Sequence, residues 1–134
     1  MKEAMLDTDM LSEFFRNNPK VVLKVDEHLK EFGFISLSII TYYEILNGLL
    51  YKDAKKQLIR FNEFVELNTI IPLTLPSAKI AANIKANLRK KGNEIGHTDT
   101  LIAGIAISNN LQLITNNTTH FRRIKELDIA NWIK

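Results

Sequence analysis

Three carboxylates, Asp7, Glu44 and Asp99, stand where a chain alternating strands with helices would bring acids to one edge. Asp7 closes the short apolar run Ala4-Met5-Leu6. Glu44 interrupts the apolar stripe of a helix-like segment that follows the run 34–37. Asp99 opens an almost wholly apolar segment that precedes the run 111–115. Acids brought together without cations raise one another's pKa values and destabilise the fold. A hard divalent cation removes that conflict, and Mg²⁺ takes one or two carboxylates together with waters and phosphate oxygens. Such an ion orients a water, lowers its pKa and stabilises charge growing at phosphorus. Each acid also has a structural reading. Asp7 could be a turn residue with Asp9 capping the next helix, Thr41-x-x-Glu44 matches a capping box, and Thr98-Asp99 matches a capped first turn.

The elements that would position these acids follow from periodicity. The apolar run ending at Leu6 reads as a buried strand feeding a helix over 9–17, which Asn17-Asn18-Pro19 stops. Pro19 suits a first helical position, and Gly33 ends the helix it starts. A second strand over 34–37 leads through Ser38 or Thr41 into a helix over 39–50, and Asp53 opens another ending at Asn68. Residues 69–73 form a third strand, which Pro72 ends or confines to an edge. Ser77 caps a helix over 78–91 stopped by Gly92, 93–97 is a loop, and Thr98 caps a buried helix over 99–109. A fourth strand over 111–115, a short helix over 121–125 and a last strand over 129–133 complete the chain. Strands alternating with helices imply right-handed crossovers, hence a three-layer α/β/α domain on a mainly parallel sheet of four to five strands. In open sheets of this kind, ligands bind at the carboxyl ends of the strands.

At 134 residues, with no linker, repeat or low-complexity segment, the chain is expected to be a single domain, 1–134. It has no cysteine, which excludes disulfides and thiolate metal sites and fits a reducing compartment. Its apolar runs fall far short of the ~20 residues of a membrane span, and its amino terminus lacks signal-peptide character, so a cytoplasmic location is expected. Charge is uneven. Residues 1–67 carry nine Lys and Arg against eleven Asp and Glu, whereas residues 68–134 carry nine against four. A basic half beside an acidic pocket suits a polyanion held by its backbone, as readily as it suits an ordinary solvated surface.

Four stretches, in order along nearly the whole chain, carry a resemblance. They are Leu6-Asp7-Thr8-Asp9, Ile40-Thr41-x-x-Glu44-Ile45-x-x-Gly48, Gly96-x-x-Asp99-Thr100-Leu101-Ile102-Ala103, and Leu113-Ile114-Thr115-Asn116-Asn117-x-x-His120-Phe121. Together they resemble PIN-domain ribonucleases of the VapC toxin type. The resemblance implies a PIN-like fold and a Mg²⁺- or Mn²⁺-dependent endoribonuclease, the toxin of a type II toxin-antitoxin pair. It implies an RNA substrate, a small cognate antitoxin, and a homodimer. Asp7, Glu44 and Asp99 match the family's catalytic, metal-binding acids one by one. The chain departs from the pattern at the fourth acid, where Asn117 and His120 stand, neither bringing the charge a second Mg²⁺ would want. Asp9, Thr115, Asn117 and His120 are accessory candidates, and Lys85, Arg89, Lys90, Lys91, Arg122 and Arg123 are candidates for a basic RNA-holding rim.

Two rivals remain open. Asp7-Thr8-Asp9 also fits the start of the D-x-D-x-T motif of haloacid-dehalogenase-type phosphatases, with Asp7 as nucleophile. Leu11, however, takes the Thr position, and no later G-D-x-x-x-D segment occurs. A non-catalytic PIN module that only binds RNA or protein is the other, and divalent-dependent RNA cleavage separates it from the enzyme.

Overall fold

Strand β1 (Ala4–Leu6) lies at the centre of a five-stranded, wholly parallel sheet in the computed structural model, which describes residues 1–134. On one side are β2 (Ser36–Ser38) and then β3 (Thr69–Ile71); on the other are β4 (Gln112–Ile114) and then β5 (Ile129–Ala130). Parallel pairing sets Leu6 beside Leu37 and Ile114. Successive side chains of a strand point to opposite faces. Met5 and Leu113 therefore enter one core cluster, while Ala4, Leu6 and Ile114 enter another.

Helices cover both faces. Against Met5 pack α5 (Leu75–Lys90) and α6 (His97–Ser108), supplying Ile84, Leu88, Ile102, Ala103, Ile105 and Ala106. Against Leu6 pack α1 (Thr8–Phe15), α2 (Pro19–Phe32) and α4 (Lys55–Leu67), supplying Met10, Leu11, Val21, Val25 and Phe61. Helix α3 (Ile39–Tyr51) gives Ile40 to the first cluster and Ile45 and Leu49 to the second, so Glu44 emerges beside a junction of the two layers. A one-turn helix, α7 (Thr118–Phe121), follows β4. α5 and α6 form a close antiparallel pair. A Cβ at Gly104 would come within 2.5 Å of the Ser77 carbonyl oxygen and 2.9 Å of the Ala81 Cβ, so only glycine fits there.

The expected three layers and parallel sheet are present, and Pro72 directly follows the edge strand β3. Several helix starts differ from expectation. Asp7, not Asp9, caps α1, accepting the Met10 N–H at 2.9 Å, and Asp9 is an exposed first-turn residue. Ser38 caps α3 through the Thr41 N–H, which removes the capping-box reading of Glu44. Thr74 caps α5 in a capping box with Ser77, so the helix begins at Leu75 rather than after Ser77. α6 begins at His97 behind Gly96 with no side-chain cap, so Thr98 is not the cap and Asp99 sits in the first turn. Asp53 adopts φ 51°, a loop conformation, and α4 starts two residues later. Helix α7 ends where the expected 121–125 helix would start.

At the amino edge of the sheet, His28 of α2 is fully buried between β1 and the approach to β2. Its Nε2 accepts the Ala4 N–H at 3.0 Å and its Nδ1 donates to the Phe34 carbonyl at 3.0 Å. These two bonds fix a neutral tautomer.

Candidate active site

Parallel pairing places the ends of β1 and β2 on one edge, so Asp7 after β1 and the start of α3 after β2 are neighbours there. α6 runs towards the start of β4, hence its first turn, with Asp99, lies at that same edge. Asp7 is nearly inaccessible. Its Oδ1 caps α1, and its Oδ2 accepts the hydroxyl of Thr115 at 2.5 Å from the end of β4. Glu44 is half-buried, its Oε1 accepting the Thr8 hydroxyl at 2.5 Å. Asp99 is also half-buried and is held more loosely, by the Asn117 amide at 3.4 Å from its Oδ2.

Asp7 and Asp99 both feel the charges of acidic neighbours. Burial pushes Asp7 up to about 6, against the lowering hydrogen bonds from Thr115 and Met10, and the charges of Asp9 and Asp99 raise it further. Burial also raises Asp99; His120 opposes the rise, and the charges of Glu44 and Asp9 add to it. No lysine or arginine offsets either group. Of the accessory candidates, Thr115 grips Asp7, Asp9 contributes charge, and Asn117 bridges Asp99 to Nδ1 of His120 at 3.0 Å. His120 itself stands 4.0 Å from Asp99, beyond hydrogen-bond reach. With Nδ1 accepting from Asn117, the ring proton sits on Nε2.

No three Asp, Glu or His side chains are drawn together into a ready-made metal cage. The donor set nonetheless fits Mg²⁺ or Mn²⁺. It is all oxygen, it carries an uncompensated charge conflict, and Mg²⁺ needs only one or two carboxylates, keeping waters at its other positions. Asp7 and Asp99 could hold such an ion, with Glu44 reaching it directly or through water.

The six basic candidates divide into two sets. The Lys85 ammonium donates to the Ile95 carbonyl at 2.5 Å and lies 3.6 Å from Glu94. Arg89 lies 3.8 Å from Glu94, and Arg123 donates to the Glu94 carbonyl at 2.9 Å. These three hold down the loop joining α5 to α6. Lys90, Lys91 and Arg122 are exposed. Because α5 and α6 are antiparallel, Lys90 and Lys91 lie on the side where α6 starts with Asp99. Beside Glu44 an open hollow of about 400 Å³ runs between α1, α3 and α4. Phe15, Ile45, Leu49 and Phe61 line it together with Arg16, Lys52 and Arg60. Sequence reasoning missed the role of Thr8, whose hydroxyl bonds Glu44; the visible signal was a threonine directly after the strand-ending Asp7.

Residues 4–127 match the family model described as PIN domain. The chain belongs to the PIN-domain family, in its VapC group. It is 33% identical over 133 residues to Ribonuclease VapC1 of Haemophilus influenzae strain R2866, covering 97% of this chain and 98% of that one. It is 29% identical over 133 residues to the tRNA(fMet)-specific endonuclease VapC of Shigella flexneri, covering 98% and 99%. Among solved structures, DNA-bound VapBC from Salmonella typhimurium aligns with a TM-score of 0.89 at 28% identity, over 98% of this chain and 99% of the other. Membership of the VapC group does not favour the phosphatase alternative for Asp7. No helix is long and apolar enough to cross a membrane.

Proposed function

We propose that this VapC-family chain is a Mg²⁺-dependent endoribonuclease, the toxin of a toxin-antitoxin pair. The carrying observation is that Asp7, Glu44 and Asp99 lie at one sheet edge, where the charge of Asp99 raises Asp7, that of Glu44 raises Asp99, and no lysine or arginine opposes them. Asp7 and Asp99 would hold the divalent ion. When bound, that ion supplies Lewis-acid stabilisation of phosphoryl charge and makes a neighbouring water more acidic. The residues do the rest. Thr115 and the Met10 N–H fix both oxygens of Asp7, so its position survives substrate exchange. Glu44 has Oε1 tied to Thr8, leaving Oε2 to accept a proton from the attacking water as its oxygen bonds to phosphorus and the bond to the departing ribose oxygen breaks. The Nε2–H of His120 would donate to a phosphate oxygen beside Asp99, while the Asn117 amide, bonded to Asp99 and to the ring Nδ1, holds that ring in place. Lys90, Lys91 and Arg122 would hold flanking phosphates, while Lys85, Arg89 and Arg123 keep the adjoining loop in place.

The proposed substrate is RNA, with transfer RNA the first to try because of the Shigella flexneri relative's name. The proposed protein partner is an antitoxin, on the strength of the VapBC complexes among the similar structures. The hollow beside Glu44, with its apolar floor and three cations, is where we place it. A homodimer is proposed on the exposed Ile39, Tyr43, Leu73 and Leu75, carried by α3 and the segment after β3. The testing experiment incubates the purified chain with RNA, with Mg²⁺ and with chelator. Cleavage with Mg²⁺ that stops on chelation and in Glu44→Gln supports the reading; an inert parent protein leaves a non-catalytic PIN module instead.

A further inference from the structure

Glu44 lies on a helix, half-buried, with three rotatable bonds, so it would ordinarily sample solvent, and fixing such a side chain costs rotamer entropy. It is nevertheless held. The Thr8 hydroxyl stands 2.5 Å from Glu44 Oε1 and 3.1 Å from the Thr41 hydroxyl. A carboxylate can only accept, so the Thr8 hydroxyl is the donor to Glu44, its shorter contact, with the Thr41 hydroxyl oxygen as a second, longer acceptor. The contacts form a row, Thr41 beside Thr8 and Thr8 against Glu44. Its last member has the length of a charge-assisted O–H···O⁻ bond. Thr41 is fully buried, and its backbone N–H is fixed by the Ser38 cap. The anchor is thus in the core while the carboxylate is at the edge.

We propose that Thr8 is a positioning residue for Glu44, holding Oε1 against the start of α1 so that Oε2 stays turned to the ion and water at Asp7 and Asp99. The inference rests on the proposed nuclease reading. It assigns the dipeptide Asp7-Thr8 two duties: one residue supplies an acid, and the next fixes the acid of the following strand-helix unit. Asp99 has no such hydroxyl.

The test is calorimetric titration of Mg²⁺ alone, without RNA, into the parent, Thr8→Val, Thr8→Ser, Glu44→Gln and the Thr8→Val/Glu44→Gln double variant, with a thermal melt of each. Removing an outer partner of a metal ligand typically costs about 10–100-fold in affinity. Thr8→Val, which keeps the shape and loses the hydroxyl, should weaken Mg²⁺ binding in that range, and Thr8→Ser should restore it to within a few-fold of the parent. In the Glu44→Gln background, Thr8→Val should add nothing further. The inference is overturned if Thr8→Val binds Mg²⁺ like the parent, or if it weakens binding equally with and without Glu44, since either result makes Thr8 merely structural. The two readings fail differently. A Glu44→Gln protein that binds Mg²⁺ and cleaves RNA like the parent overturns the nuclease site itself, whereas an impaired Glu44→Gln beside a silent Thr8→Val overturns only the role of Thr8.

Discussion

The two ends of β1 hold the two most instructive buried titratable groups in the molecule, and they are treated in opposite ways. At the amino end, His28 is fully buried with one ring nitrogen donating and the other accepting, and its pKa is lowered, chiefly by burial. Its nearest charges, Glu3, Glu31 and the amino terminus, are balanced in part by the 3.0 Å pair between the terminus and Glu31. At the carboxyl end, Asp7 is equally buried and also fully bonded, yet its pKa is pushed up to about 6 because burial and two neighbouring acids outweigh those bonds. A polar group satisfied without residual charge ties elements together. One left in conflict stores free energy that a ligand can release.

The largest effect expected from breaking this contrast is on activity. Asp99→Asn removes a charge that Asp7 feels, and with it a proposed direct ligand, so Mg²⁺-dependent RNA cleavage should fall by more than the roughly 100-fold known for outer partners. Rates measured at saturating Mg²⁺ check it; cleavage within a few-fold of the parent would make Asp99 a first-turn acid of α6 and nothing more.

Next comes the other end of the strand. His28→Leu leaves the buried Ala4 N–H without a partner, at about 1–3 kcal/mol, strips the part-buried Phe34 carbonyl of its donor, and removes the packing of the ring. Denaturant unfolding should show a loss of roughly 3 kcal/mol, while cleavage per folded molecule stays unchanged. A variant as stable as the parent would mean that water or repacking satisfies both groups.

These two residues also mark how far the sequence could be read. The order of strands and helices was legible because alternating apolar periods place them, and three acids near their boundaries could be assigned to one edge from the sequence. The cap of α1 was not. Asp7 and Asp9 are both good caps two residues apart, and only the backbone's extended conformation at Asp7 decides between them. His28 was invisible, since a lone histidine in an amphipathic helix carries no pattern that distinguishes a buried clamp from a surface residue. The Thr8 to Glu44 bond spans 36 positions, a pairing set by how α1 packs on α3 rather than by local spacing.

A smaller effect sharpens the contrast through pH. With a folded pKa near 6 against an ordinary 3.8, Asp7 destabilises the metal-free fold above about pH 6 and not below about pH 4, by about 3 kcal/mol when fully ionised. Asp7→Asn removes that penalty but weakens the bond from Thr115, so a net gain of about 1–2 kcal/mol is expected at pH 7.5 without metal, turning into a loss of about 1–2 kcal/mol near pH 4, where the penalty is gone and the weakened bond remains. His28 acts in the opposite sense. Its folded pKa is lowered, so the unfolded chain takes up the proton first and stability falls as pH drops below about 6.5. Unfolding of Asp7→Asn between pH 7.5 and 5.5 isolates this second slope. If stability there is flat, His28 is not held neutral by the fold.

The smallest effect concerns the cations at the two edges. At the amino edge they are paired: Lys2 lies 2.7 Å from Asp128, and the amino terminus lies 3.0 Å from Glu31. At the carboxyl edge Lys90, Lys91 and Arg122 are exposed and enter none of the ion pairs. Unpaired cations beside an acidic centre suit a polyanion that must approach it against repulsion. Each phosphate they neutralise should contribute about 0.7 to the slope of log affinity against log salt for single-stranded RNA. Lys90→Ala with Lys91→Ala should therefore lower the slope by up to about 1.4, whereas Lys2→Ala, at the opposite edge, should leave it unchanged. Binding is measured in Ca²⁺ with Glu44→Gln, so that cleavage does not intervene. A slope untouched by the double change would return both lysines to the solvent and leave Arg122 as the one unpaired cation of the rim.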